Sequence, residues 1–106
     1  MGLFDFFKPK DNDGAMLADL LRHNADMIQN SEGKSRNEAE YLAACLIIDD
    51  LTKRPNGRVG YQQLMTILQN DYPHVLNDVI TYVGWSTGKL VFKPEYDAAM
   101  RARHAK

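Results

Sequence analysis

Apolar positions recur along this chain at spacings of one, three, four and seven, the pattern of helices that each bury one stripe. The first run, Met16, Leu17, Leu20, Leu21, Met27 and Ile28, places Arg22, His23 and Asp26 toward water. Asp11-Asn-Asp-Gly14 supplies capping side chains ahead of it, and Asn30-Ser-Glu-Gly33 closes it. Ser35-Arg-Asn-Glu38 then has the capping-box spacing, in which the hydroxyl accepts from the third helical amide and the Glu reaches back. A second helix over 36–54 carries Ala39, Leu42, Ala43 and Leu46 on one face and Tyr41, Cys45, Ile48 and Leu51 on the adjoining one. An apolar surface that wide predicts a central helix packed on two sides. At its end Asp49 and Asp50 stand four residues before Lys53 and Arg54, the spacing of two surface ion pairs.

Pro55-Asn-Gly57 breaks the pattern, and Arg58-Val-Gly60 reads as a strand stub before Tyr61, Leu64, Met65, Ile67 and Leu68 resume helical spacing. Asp71-Tyr-Pro73 punctuates again, with Pro73 suited to a first helical position. Val75, Leu76, Val79, Ile80 and Val83 form the cleanest stripe and predict a core helix that Gly84 stops. Trp85-Ser-Thr-Gly88 reads as a turn, and Lys89-Leu-Val-Phe-Lys93 as a short strand with Leu90 and Phe92 on one face. A last helix opens at Pro94 and Glu95, with acids at its start and Arg101, Arg103, His104 and Lys106 toward its end, as the helix dipole favours. Asn56–Tyr61 and Thr87–Phe92 share a form (turn residue, glycine, base, aliphatic, any residue, aromatic) and are expected to pair as a ribbon. The fold class read from these elements is mainly α: a compact single domain of four or five helices over 11–106 with at most a short two-stranded β ribbon, preceded by an apolar and basic segment at 1–10.

The stretch 36–68 resembles an EF-hand, with Gly57 in the place of the turn glycine and Val59 in that of the strand aliphatic. The first, third and twelfth loop positions are then Thr52, Arg54 and Gln63, where that family uses carboxylates, which leaves Asn56 alone to ligate. The resemblance implies the geometry without the metal. The stretch 36–93 also resembles a winged-helix domain, which implies that Pro73–Val83 is a recognition helix. Its polar residues are His74, Asn77, Asp78, Thr81 and Tyr82, with none of the Lys and Arg that base and phosphate contacts lean on.

Composition narrows the function classes. The 106 residues are one domain's worth, and 44% hydrophobic with 25% charged residues is ordinary globular usage. Thirteen bases against fourteen acids give a net charge of −1, against the basic excess of a nucleic-acid binder. The charge is uneven: residues 84–106 carry five bases and two acids, a local +3 that leaves −4 for 1–83. Cys45 is the single cysteine, which fits a reducing, cytoplasmic setting, and its place mid-helix among apolar residues predicts a buried, inert thiol. Residues 1–10 lack the long apolar region of a secretory signal, and no window reaches the length of a membrane span. Leu3, Phe4, Phe6 and Phe7 followed by Lys8 and Lys10 read either as a segment docked on the core or as a membrane tether.

No nucleophile, phosphate-loop or zinc motif occurs, so no enzyme activity, metal or cofactor is expected. His23 and His104 fall in polar positions; His74, at a helix start, has Asp71 and Asp78 as potential orienting groups. Tyr72, Tyr82 and Trp85 flank the ends of the Pro73–Val83 helix and, with Asp71, His74 and Asp78, make a mildly acidic aromatic surface suited to a basic protein partner. Trp85 serves either that surface or as a lid on the core. The function expected is non-catalytic: a small cytoplasmic bacterial or phage protein that neutralises or regulates a protein partner by occluding a surface, in the manner of immunity proteins and antitoxins. The alternatives are a winged-helix-like nucleic-acid binder using Arg58, Lys89, Lys93, Arg101 and Arg103, and a peripheral membrane adaptor tethered by 1–10.

Overall fold

The computed structural model describes residues 11–105, with side chains from Met16 on; the tether or docking expected of 1–10 lies outside the described residues. Five helices follow in order: α1 (Asp11–Glu32), α2 (Arg36–Thr52), α3 (Gly57–Asp71), α4 (Pro73–Ser86) and α5 (Pro94–Arg103). α1 starts at Asp11, so the Asp-Asn-Asp-Gly stretch lies inside its first turns rather than ahead of it. It buries Leu17, Leu21, Ala25 and Ile28, spaced four, four and three apart. Gly33 ends it at φ +66°, donating its amide to the Gln29 carbonyl at 3.1 Å. Ser35 caps α2 by accepting from the Glu38 amide at 3.2 Å.

α2 is the central helix that its wide apolar surface predicts. It buries Ala39, Glu40, Tyr41, Ala43, Ala44, Cys45, Ile47 and Ile48, and α1, α3 and α4 all pack on it. The three alanines let neighbouring backbones approach closely. Leu64 and Leu68 from α3 and Val75, Val79 and Tyr82 from α4 complete the same core.

Both expected strands are absent, and no strand occurs among the described residues. Arg58-Val-Gly60 is the first turn of α3, because Gly57 opens the helix directly against α2: a Cβ there would overlap the Leu51 carbonyl oxygen. Only Lys53–Asn56 separates the two helices, so the EF-hand-like loop is not present. α4 runs through Gly84 to Ser86, and the stop is Gly88 at φ +77°, whose amide donates to the Trp85 carbonyl at 3.2 Å. Trp85 therefore stands on the last turn of α4. The segment 89–93 crosses back irregularly, with the Leu90 amide on the Gly84 carbonyl at 3.0 Å. The sequence echo thus corresponds to one helix start and one irregular link, and no ribbon or wing forms between them.

The α4 stripe is also turned from its expected position. Val75, Val79 and Tyr82 are buried, while Ile80 is 47% exposed. The Tyr82 hydroxyl makes the difference: it reaches the Asp49 carboxylate at 2.8 and 2.9 Å, so an aromatic with a satisfied polar tip goes inward.

Candidate functional site

The six residues expected to form one binding surface divide between the two ends of α4. At its start, His74 Nε2 lies 2.7 Å from Glu40 Oε1, and Tyr72 is half-buried with its ring 6.1 Å from the imidazole. Glu40 is the one buried charged residue among those described, and Arg36 Nε donates to its other oxygen at 3.2 Å. Arg36 also reaches Asp26 and Gln29 of α1, so this cluster fastens α1, α2 and α4 together. Asp71 is exposed beside it.

At the other end, Tyr82 is buried and Trp85 half-buried, and both rings meet His104, which the sequence puts in a polar position; Trp85 stacks on it and Tyr82 is tilted to it. The imidazole is 4.5 Å from the Tyr82 ring, 6.0 Å from Trp85 and 5.4 Å from Tyr41, and its Nε2 meets the Tyr41 hydroxyl at 2.7 Å. Burial, and next the neighbouring Arg103 cation, lower its pKa. Trp85 Nε1 donates to Asp97 Oδ1 at 2.8 Å, so the indole serves as the lid between α4 and α5. That bond first, and the Arg101 guanidinium second, hold the Asp97 carboxyl below its usual range.

Arg103 has a structural task as well. It donates twice to Glu38, at 2.9 and 2.8 Å, approaches Asp78 at 3.4 Å, and lays its guanidinium 3.6 Å from the centre of the Tyr41 ring. Glu38 is therefore drawn to α5 instead of back to its own helix start, and this bond is the main reason its carboxyl titrates low. Of the expected nucleic-acid contacts, Arg101 pairs with Asp97 at 2.7 Å and Arg103 is engaged as described, while Arg58, Lys89 and Lys93 are exposed. Asp50 pairs with Arg54 at 2.8 Å as its spacing predicts, whereas Asp49 turns to Tyr82.

Beside the aromatic cluster lies a cleft of about 500 Å³ that the sequence reading does not contain. Leu42, Cys45, Leu46 and Asp49 of α2 line it together with Tyr82 and His104, and Glu32, Lys34 and Arg103 line it as well. Cys45 is buried as expected, and desolvation pushes its thiol up to about 12, far from a reactive thiolate. A local signal for the α2 side of the cleft exists: its four α2 residues fall at i, i+3, i+4 and i+7. Nothing local announces His104, whose partners come from α2 and α4.

A second surface feature joins α4 to the link after it. Ile80 is 47% exposed, Leu90 48% and Val91 97%, and the Leu90 side chain rests on the bare backbone of Gly84, one turn beyond Ile80. No helix among the described residues is long and apolar enough to cross a membrane. No protein-family model, curated protein or solved structure matches this chain.

Proposed function

We propose that this protein is a small cytoplasmic, non-catalytic binding module of bacterial or phage type that neutralises or regulates a protein partner by occluding a surface, the role immunity proteins and antitoxins play. The observation that carries the reading is the cluster of Ile80, Leu90 and Val91, large apolar side chains left in solvent on a well-packed helix and its link. Leu90 rests on Gly84, one turn beyond Ile80, and apolar side chains left exposed near one another mark interaction sites. Of the residues that could otherwise act as acids, bases or anchors for nucleic acid, His74 is engaged with Glu40, His104 with Tyr41, Arg101 with Asp97 and Arg103 with Glu38, while Arg58, Lys89 and Lys93 stay exposed. The partner face therefore moves from Asp71, Tyr72 and Trp85 to the outer side of α4 and 89–91.

Affinity capture from a lysate of the source cells tests this, comparing wild type with a Leu90→Asp, Val91→Asp double variant whose helicity is checked by circular dichroism. The expected result is one protein held in stoichiometric amount by wild type, unaffected between about 50 mM and about 200 mM salt, and lost by the variant. Nucleic acid in the eluate, released steeply by salt and held equally by the variant, overturns the reading and returns attention to Arg58, Lys89 and Lys93.

A further inference from the structure

The face of α2 that carries Leu42, Cys45, Leu46 and Asp49 lines the cleft, and Leu46 is 46% exposed there while its apolar neighbours Ala43, Ala44, Ile47 and Ile48 are buried. The volume of about 500 Å³ falls in the range of small-ligand sites. Asp49 is half-buried in it and pairs with no Lys or Arg among the described residues. Its two oxygens share a single donor, the Tyr82 hydroxyl. A carboxylate accepts up to about four hydrogen bonds, so capacity remains.

The groups packed around Asp49 do not cancel its charge. Burial keeps the Cys45 thiol and the Tyr82 hydroxyl protonated, and burial with Arg103 nearby keeps the His104 imidazole neutral at pH 7. Arg103, which also lines the cleft, is committed to Glu38 through two bonds. Lys34 and Glu32 stand at the far end of the α2 face, about 20 Å along the helix axis, and oppose each other in charge. The Asp49 end is thus a negative, partly desolvated pole next to apolar surface.

We propose that this cleft binds an organic cation, an alkylammonium or alkylguanidinium whose charge meets Asp49 and whose aliphatic stem lies on Leu42 and Leu46 beside Tyr82. A free amine and the Lys or Arg side chain of a protein present the same chemistry.

The test is an amide-resolved NMR titration of the full chain with n-butylammonium and n-butylguanidinium chloride, with 1-butanol and sodium butyrate as uncharged and anionic controls. Saturable shifts confined to the amides of Leu42, Cys45, Leu46, Asp49 and Tyr82, seen with the cations alone, are expected. Asp49→Asn keeps an acceptor for the Tyr82 hydroxyl and removes the charge; it weakens binding about tenfold or more. Leu46→Lys, at an exposed position, places an ammonium of the chain's own in the cleft and abolishes binding even if Asp49→Asn fails to fold. Putrescine in parallel with N-acetyl-lysine methylamide separates the sources: tighter binding of the diamine assigns a free amine, tighter binding of the blocked lysine a protein side chain. Shifts that do not saturate, that butanol reproduces, or that both variants retain overturn the proposal.

Discussion

Two glycines on helices show how differently a single missing Cβ can matter. At Gly57 the space is filled by the backbone of Leu51, which cannot move without unwinding the end of α2. At Gly84 it is filled by Cδ1 and Cγ of Leu90, a half-exposed side chain that can turn about its Cα–Cβ bond to make room. Gly57→Ala is therefore expected to lower the thermal midpoint severely, by the equivalent of about 3 kcal/mol, a typical cost of overpacking a buried site. Gly84→Ala should stay within about 1 kcal/mol of wild type, because the helix propensity gained offsets the shift of Leu90. Similar midpoints in the two variants would show that the α2–α3 contact is looser than described. Glu40 makes a second residue-scale case: as a buried carboxylate held by Arg36 and His74, its replacement by Ala leaves two donors unmatched. Urea denaturation should show a loss of about 2 kcal/mol, the worth of charge-assisted bonds in a part-buried site.

Among the elements, α5 has a distinctive attachment. One buried apolar residue, Met100, reaches the core from it; the remaining ties are Trp85 to Asp97, Arg103 to Glu38 and His104 to Tyr41. One of those ties is a titratable imidazole. In the folded chain His104 has its pKa lowered by burial and by Arg103, opposed by the carboxylates of Asp49 and Glu38 that also face it. Unfolded, it titrates near its ordinary value of about 6.5. The unfolded state then binds more protons as pH falls, so stability is fully present above about 6.5 and declines below it. Thermal midpoints between pH 7 and about 5.5 should fall for wild type and stay flatter for His104→Phe. Parallel slopes in the two proteins would mean that the imidazole is not the titrating group.

For the whole molecule these attachments imply unequal stability. α1 to α4 share one apolar core built on α2, whereas α5 is fastened largely by polar side chains at its edge. Hydrogen exchange should show α5 amides opening at lower free energy than those of α2, and Arg103→Ala should widen that gap while leaving α2 protection unchanged. Equal loss across both helices would place α5 inside the common cooperative unit. The helical class, the central role of α2 and the boundaries at Gly33, Ser35 and Pro73 are legible in the sequence, because capping and apolar periodicity act within a turn or two of chain. The same local signals mislead at 58–60 and 89–93, where short alternating runs lack any partner to make them strands and the backbone bonds locally instead. They also place six residues on one surface, since nearness in sequence along α4 does not reveal that the helix separates its ends. That Tyr82 turns inward and Ile80 outward, that His104 enters an aromatic cage, and that a cleft opens beside Asp49 follow from tertiary packing alone. Those outcomes depend on pairs such as Tyr41 with His104, 63 residues apart, whose meeting is set by how the helices stack and by which polar tips find partners once water is excluded.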